Sequence, residues 1–156
     1  MKKLFLIVAI IATSFVQNSF AQDSTKESKL LSSYYDIKNA LVKGNATNAA
    51  ASATVFVTTL NSIDEKVIPG PARWSLLKDA MDISKSTDVN HQREHLITFS
   101  TNMFALAKTI KLSAQPIYEA YCPMKKAYWL TSDRAIKNPY FGSAMLTCGS
   151  ITETIK

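Results

Sequence analysis

The chain has 156 residues, 47% of them hydrophobic and 19% charged, with a formal net charge of +6. Four glycines, five prolines and two cysteines exclude collagen-like, low-complexity and disulfide-dense classes and leave one ordinary globular domain. Two cysteines are also too few for a four-thiolate zinc site.

Met1-Lys2-Lys3 is a short basic start, and the run from Leu4 to Val16 is apolar apart from Thr13 and Ser14. Ser19-Phe20-Ala21 puts small residues at the two positions a signal peptidase inspects. The pattern predicts a signal peptide over 1–21, cleaved after Ala21, and an exported, periplasmic protein. The apolar run falls short of the ~20 residues that span a bilayer, so no membrane insertion is expected after cleavage. Lys125-Lys126 is the one adjacent basic pair after the signal, which lacks the concentrated basic face of a nucleic-acid binder.

Residues 22–27 are polar and read as a flexible leader. Leu30, Tyr34, Ile37 and Leu41 then recur at steps of 4, 3 and 4, the stripe of an amphipathic helix that Gly44-Asn45 can stop. Asn45 or Thr47 can cap a second helix with the stripe Ala49, Ala53, Phe56, Leu60 and Ile63, whose alanines permit close approach to a neighbour. Pro69-Gly70-Pro71 breaks the chain, and Pro71 suits the first turn of a third helix. Its expected core stripe is Trp74, Leu77 and Met81, with Leu76, Ala80 and Ile83 beside it. Asp88 can cap a fourth helix with the seam Val89, Gln92, Leu96, Phe99, Met103, Leu106 and Ile110.

After Lys111 aromatics, prolines and both cysteines gather, and short β-prone runs appear at Ile117-Tyr118 and Ile151–Ile155. The expected fold is mainly α. A four-helix up-down bundle carries a small irregular, partly β C-terminal appendage over 112–156, the whole forming one domain over 28–156.

Three groups of residues can carry chemistry. Cys122-Pro123-Met124 and Met145-Leu146-Thr147-Cys148-Gly149 each set a methionine two or three positions from a cysteine. Thiolate and thioether are soft donors that select monovalent copper, and an extended Cys-x-Met would point both sulfurs the same way. An exported protein with two cysteines also commonly joins them. A Cys122–Cys148 disulfide would stabilise the fold by about 3–4 kcal/mol on the chain-entropy model, with Met124 and Met145 as core filler. Both readings stand open on the residues alone.

His91-Gln92-Arg93-Glu94-His95 fits the inverted zinc-peptidase pattern His-x-x-Glu-His, with both imidazoles one helical turn apart. Helical geometry leaves His91 exposed and His95 at the boundary of the seam, available as supplementary metal ligands. A peptidase needs a third ligand, for which only Glu119, Asp133 and Glu153 lie downstream. No nucleophile, base and orienting group come together in the sequence, so no enzyme is expected. Asn138-Pro139-Tyr140-Phe141-Gly142 reads as a turn whose aromatics dock the appendage on the helices.

These residues resemble a known family. The carriers are Tyr34-Tyr35-x-Ile37-Lys38-x-Ala40-Leu41, the 91–95 run followed by Ser100, Tyr121-Cys122-Pro123-Met124, Trp129-Leu130 and the stretch from Asn138 to Gly149. They are similar to a domain-of-unknown-function family of small exported bacterial proteins, a domain also found at the end of periplasmic adaptor (membrane-fusion) subunits of heavy-metal efflux systems. The resemblance runs from about residue 28 to 156, with the Cys/Met motifs its most specific part. It implies a periplasmic accessory protein that binds copper or another heavy metal. Cys122, Met124, Met145 and Cys148 are the implied ligands, His91 and His95 supplements, and an efflux adaptor or another periplasmic protein the partner.

Overall fold

The computed structural model describes residues 25–156, so the expected signal peptide and the first part of the expected leader lie outside the described residues. The first helix, α1, runs Lys26–Val42 and is capped by Thr25, whose side chain accepts the Ser28 N–H. It therefore begins inside the segment expected to be loose, because a threonine cap satisfies an end N–H that polar composition alone does not reveal. Leu30, Tyr34, Ile37 and Leu41 are all fully buried, as the stripe requires. Gly44 (φ +67°) turns the chain, and Asn45 Oδ1 accepts the Asn48 N–H at 2.9 Å to start α2, Ala46–Asn61. Ala49 and Ala53 are fully buried in it, together with Phe56 and Leu60.

The third helix, α3, spans Gly70–Lys85, with Pro71 in its first turn. Its buried face is not the expected one. Arg73, Leu76, Ala80 and Ile83 point inward, while Trp74 is 66% and Met81 40% exposed. Both stripes have helical spacing, and Arg73 decides between them. Its guanidinium donates to Leu60 O (2.5 Å), which also accepts the Ile63 N–H at 3.2 Å, and to Ile63 O (2.7 Å), carbonyls at and just beyond the end of α2. Turning Trp74 inward would withdraw those donors. The fourth helix, α4, spans Val89–Thr109 behind its Asp88 cap and buries Gln92, Leu96, Phe99, Met103 and Leu106 as the seam predicts. Gln92 earns its place among apolar residues through Nε2, which donates to Ala46 O, Ile83 O and Ser86 O and so ties together two helix connections.

Helices pack in chain order, α1 on α2, α2 on α3 and α3 on α4, whereas α1 and α4 touch sparingly. Beyond them lies a three-stranded antiparallel sheet in the order β2-β1-β3, formed by β1 (Ile117–Cys122), β2 (Ala127–Thr131) and β3 (Ser150–Ile155). The appendage is thus partly β, as expected, with its three short strands joined in one sheet. The outer edge of β2 lies against α4 and α1 and is closed by two phenols. Tyr34 Oη accepts the Leu130 N–H at 3.0 Å, and Tyr140 Oη donates to Tyr128 O. These bonds satisfy an edge that otherwise presents free backbone groups. No helix among the described residues is long and apolar enough to cross a membrane.

Candidate functional site

Cys122 is the last residue of β1, paired with Ala127 across a tight turn, and Cys148 precedes β3 in the segment that returns over the sheet. Both are free thiols, and their sulfurs lie 3.6 Å apart. Cys122 is fully buried and Cys148 half-buried. The Lys125 N–H donates to Cys122 Sγ at 3.4 Å, and the Met124 N–H and the Asn138 side chain point at the same sulfur. Burial pushes the Cys122 thiol up. The donors from Lys125, Asn138, Cys148 and Met124 outweigh it and hold the group below its ordinary value. Cys148 moves the other way, first because its hydrogen bond to Cys122 keeps its proton, then through burial and the neighbouring charge. Of the two, Cys122 therefore gives up its proton the more readily, and Cys148 the less.

Asn138 holds this arrangement, and the sequence reading gave it only a turn. It is fully buried, its Nδ2 donates to Cys148 O at 2.7 Å, and its own N–H donates to Leu146 O at 2.8 Å. Its Oδ1 accepts from Tyr140 N and Phe141 N. One side chain thereby fixes the start and the end of the crossing segment and touches both cysteines. The signal available in the sequence was Asn before Pro, which marks a side chain that bonds its own turn. Tyr140 packs edge-on to the buried Trp129 of β2, a contact within the appendage itself.

Of the remaining candidates, Met124 is placed differently from the expectation. Met124 sits in the turn after β1 rather than on extended backbone, and its residue is 65% exposed. The Pro123–Lys126 turn, closed by Lys126 in the left-handed region (φ 55°), is what removes it from the strand. Met145 ends a short 3-10 turn, Gly142–Met145, and its carbonyl accepts the Cys148 N–H at 3.1 Å. His91 and His95 stack on each other with ring centroids 4.7 Å apart, His91 exposed and His95 partly buried. His95 Nδ1 faces α3, lying 3.4 Å from Asp79 Oδ1 and 3.6 Å from Asp82 Oδ2. The structure gathers no group of three or more His, Cys, Asp or Glu suited to a metal ion among the described residues. What it does bring together is the two cysteines.

Residues 30–115 match the family model described as a protein of unknown function (DUF3347), more than half of the chain. The chain belongs to the DUF3347 family. The match begins within α1, takes in the other three helices and stops short of β1, so it is narrower than the expected 28–156 and leaves both Cys/Met motifs outside it. No curated protein and no solved structure matches the chain.

The thiol pair nonetheless leans on the DUF3347 helices. Arg93 Nε donates to Pro139 O at 2.8 Å and its Nη2 to Leu41 O at 3.0 Å, tying the crossing segment to α4 and to the end of α1. Gly142 (φ +55°) lets the chain pass there, since a Cβ would lie 2.8 Å from the Arg93 Nη2 and 2.9 Å from Val42 O. Glu94 receives Lys125 Nζ at 2.5 Å, anchoring the turn that follows Cys122. Within the run His91–His95, Arg93 and Glu94 thus join helix α4 to the C-terminal part of the chain. Glu94, the residue a peptidase would need to activate water, is instead engaged with a lysine.

Proposed function

We propose that the protein is a periplasmic accessory protein that binds a soft metal ion, monovalent copper foremost, through Cys122 and Cys148, and passes it to a heavy-metal efflux adaptor or another periplasmic partner. The ion is cargo rather than a resident cofactor. One observation carries the reading, the 3.6 Å separation of the two sulfurs with N–H donors aimed at Cys122. Two sulfurs bound at ~2.3 Å to one ion stand about 3.8 Å apart in tetrahedral geometry and about 4.0 Å apart in the trigonal geometry of a three-donor site. Little movement is therefore needed to seat one. Donors outside the coordination shell that favour thiolate are a further feature of metal–thiolate sites.

A thioether completes the donor set in this reading. Met124, on the exposed turn beside Cys122, is the first candidate, and Met145, one turn before Cys148, is the second. His91 and His95 take no part, since His95 is engaged with Asp79 and Asp82. We read the four helices as an up-down bundle that supports this site, the segment before the leader as a cleaved export signal, and the protein as no enzyme. The test is a competition against a copper(I) chelator of known affinity, using the reduced protein and the Cys122→Ser, Cys148→Ser and Met124→Leu variants. One ion per chain is expected, with either serine variant losing at least ~100-fold in affinity and Met124→Leu losing less. Equal affinity in all four proteins overturns the reading.

A further inference from the structure

The same two sulfurs suit a second chemistry. A disulfide needs them at about 2.05 Å, so closure from 3.6 Å is a short movement. We propose that Cys122 and Cys148 form a reversible dithiol–disulfide couple that gates the ion site, the oxidised pair holding no ion. This rests on the ion-binding reading for its consequence and on the geometry of the pair for its chemistry.

The two cysteines differ in the way such a couple requires. Cys122 is fixed at the end of β1, fully buried, its sulfur held by backbone donors. Cys148 is half-buried on an irregular stretch between the 3-10 turn and β3, and it is the sulfur an outside reagent reaches. The oxidant is a disulfide, either a small one such as glutathione disulfide or that of a dithiol oxidoreductase. Cys148 Sγ attacks one of its sulfurs as its proton passes to the neighbouring Cys122 Sγ, forming a mixed disulfide and expelling one thiolate. Cys122 then attacks Cys148 Sγ, forming the internal bond and expelling the second thiolate. Two electrons pass to the oxidant, and the two cysteine protons end on the two leaving thiols.

Reversibility has a structural basis. The crossing segment is already held by Asn138 N–H to Leu146 O, Asn138 Nδ2 to Cys148 O and Cys148 N–H to Met145 O, none of which involves a sulfur–sulfur bond. Reduction therefore leaves the two sulfurs facing each other, ready for ion or oxidant. Each sulfur of a disulfide has lost the thiolate charge that a soft ion binds, so the two states exclude each other.

The metal-free, full folded chain should be equilibrated in buffers of varied glutathione to glutathione-disulfide ratio, quenched by alkylation and weighed. Two modified thiols are expected at the reducing end, none at the oxidising end, and only both-or-neither between. Cys122→Ser should accumulate one glutathione adduct on Cys148, roughly tenfold faster than Cys148→Ser acquires one on Cys122. Oxidised protein should show no copper(I) uptake in the chelator competition, with full uptake restored by reductant. Thiols that stay free at the oxidising end overturn the couple. A couple that cycles while the oxidised protein still binds copper overturns the gate. If the pair cycles but the reduced protein takes up no copper, the gate falls together with the ion-binding reading while the dithiol chemistry stands.

Discussion

The joint between helices and sheet turns on one phenol, and Tyr34→Phe tests it. Tyr34 Oη lies 2.7 Å from Ser100 Oγ and accepts the Leu130 N–H at 3.0 Å, linking α1 to α4 and to the edge of β2. The residue is fully buried, and burial pushes its hydroxyl up to about 12 despite both bonds. Phenylalanine keeps the ring and its 5.4 Å contact with Phe99, so only the hydroxyl is lost. The Leu130 N–H then has no acceptor and Ser100 loses its partner. Stranding a buried donor costs about 1–3 kcal/mol and losing a neutral hydrogen bond about 1, so the variant should be destabilised by roughly 3 kcal/mol. Urea unfolding of the reduced protein should show a midpoint lowered by about 1–2 M with an unchanged slope. Tyr35→Phe, on the same helix but only partly buried, serves as the control and should shift little. A Tyr34→Phe penalty below about 0.5 kcal/mol would refute the edge-capping argument.

Lys38 supplies a pH test. Burial first, and repulsion from Lys137 second, lower its pKa from 10.5 to about 8, with Asp133 opposing. Below pH 8 the side chain is charged in both folded and unfolded chains and its burial is a full penalty. Between about 8 and 10.5 the unfolded chain holds the extra proton, so this contribution rises with pH until the penalty is gone. Lys38→Met should therefore be more stable than the parent by about 2–3 kcal/mol at pH 7, with the advantage vanishing toward pH 10.5 in paired urea titrations. A gap independent of pH contradicts it. At Gly149 (φ +144°) a Cβ would lie 2.7 Å from the Trp129 ring and 2.8 Å from Tyr121 O, whereas at Gly44 (φ +67°) it would meet nothing within 4 Å. Gly149→Ala should cost about 3 kcal/mol or more and Gly44→Ala about 1, read by thermal unfolding. Equal losses would show that the close approach beside Cys148 is not rigid.

Much of the helical part was legible because its period is local. The seam of α4 alternates steps of 3 and 4 throughout, and even Gln92 took its predicted inward place. Periodicity failed on α3, where two stripes were equally regular. The choice between them was made by Arg73 reaching carbonyls of Leu60 and Ile63, a long-range contact that no window along the chain contains. The strand β2 was missed for a related reason. Ala127, Trp129, Leu130 and Thr131 are all buried, so the alternation that marks a half-exposed strand is absent. The cysteines were legible as a pair by their chemistry, but their approach to 3.6 Å depends on Asn138 and on the crossing segment it ties down. The expected Cys-x-Met geometry required extended backbone at Met124, and the turn closed by Lys126 takes that away.

The central claim is that Cys122 and Cys148 share one soft ion. X-ray absorption at the copper edge, on the reduced protein loaded with one equivalent of copper(I), counts the ligand atoms directly. At least two sulfur neighbours and no imidazole signature are predicted, with the sulfur count falling by one in Cys148→Ser. A first shell of nitrogen and oxygen alone, or one unchanged by that substitution, would contradict the account.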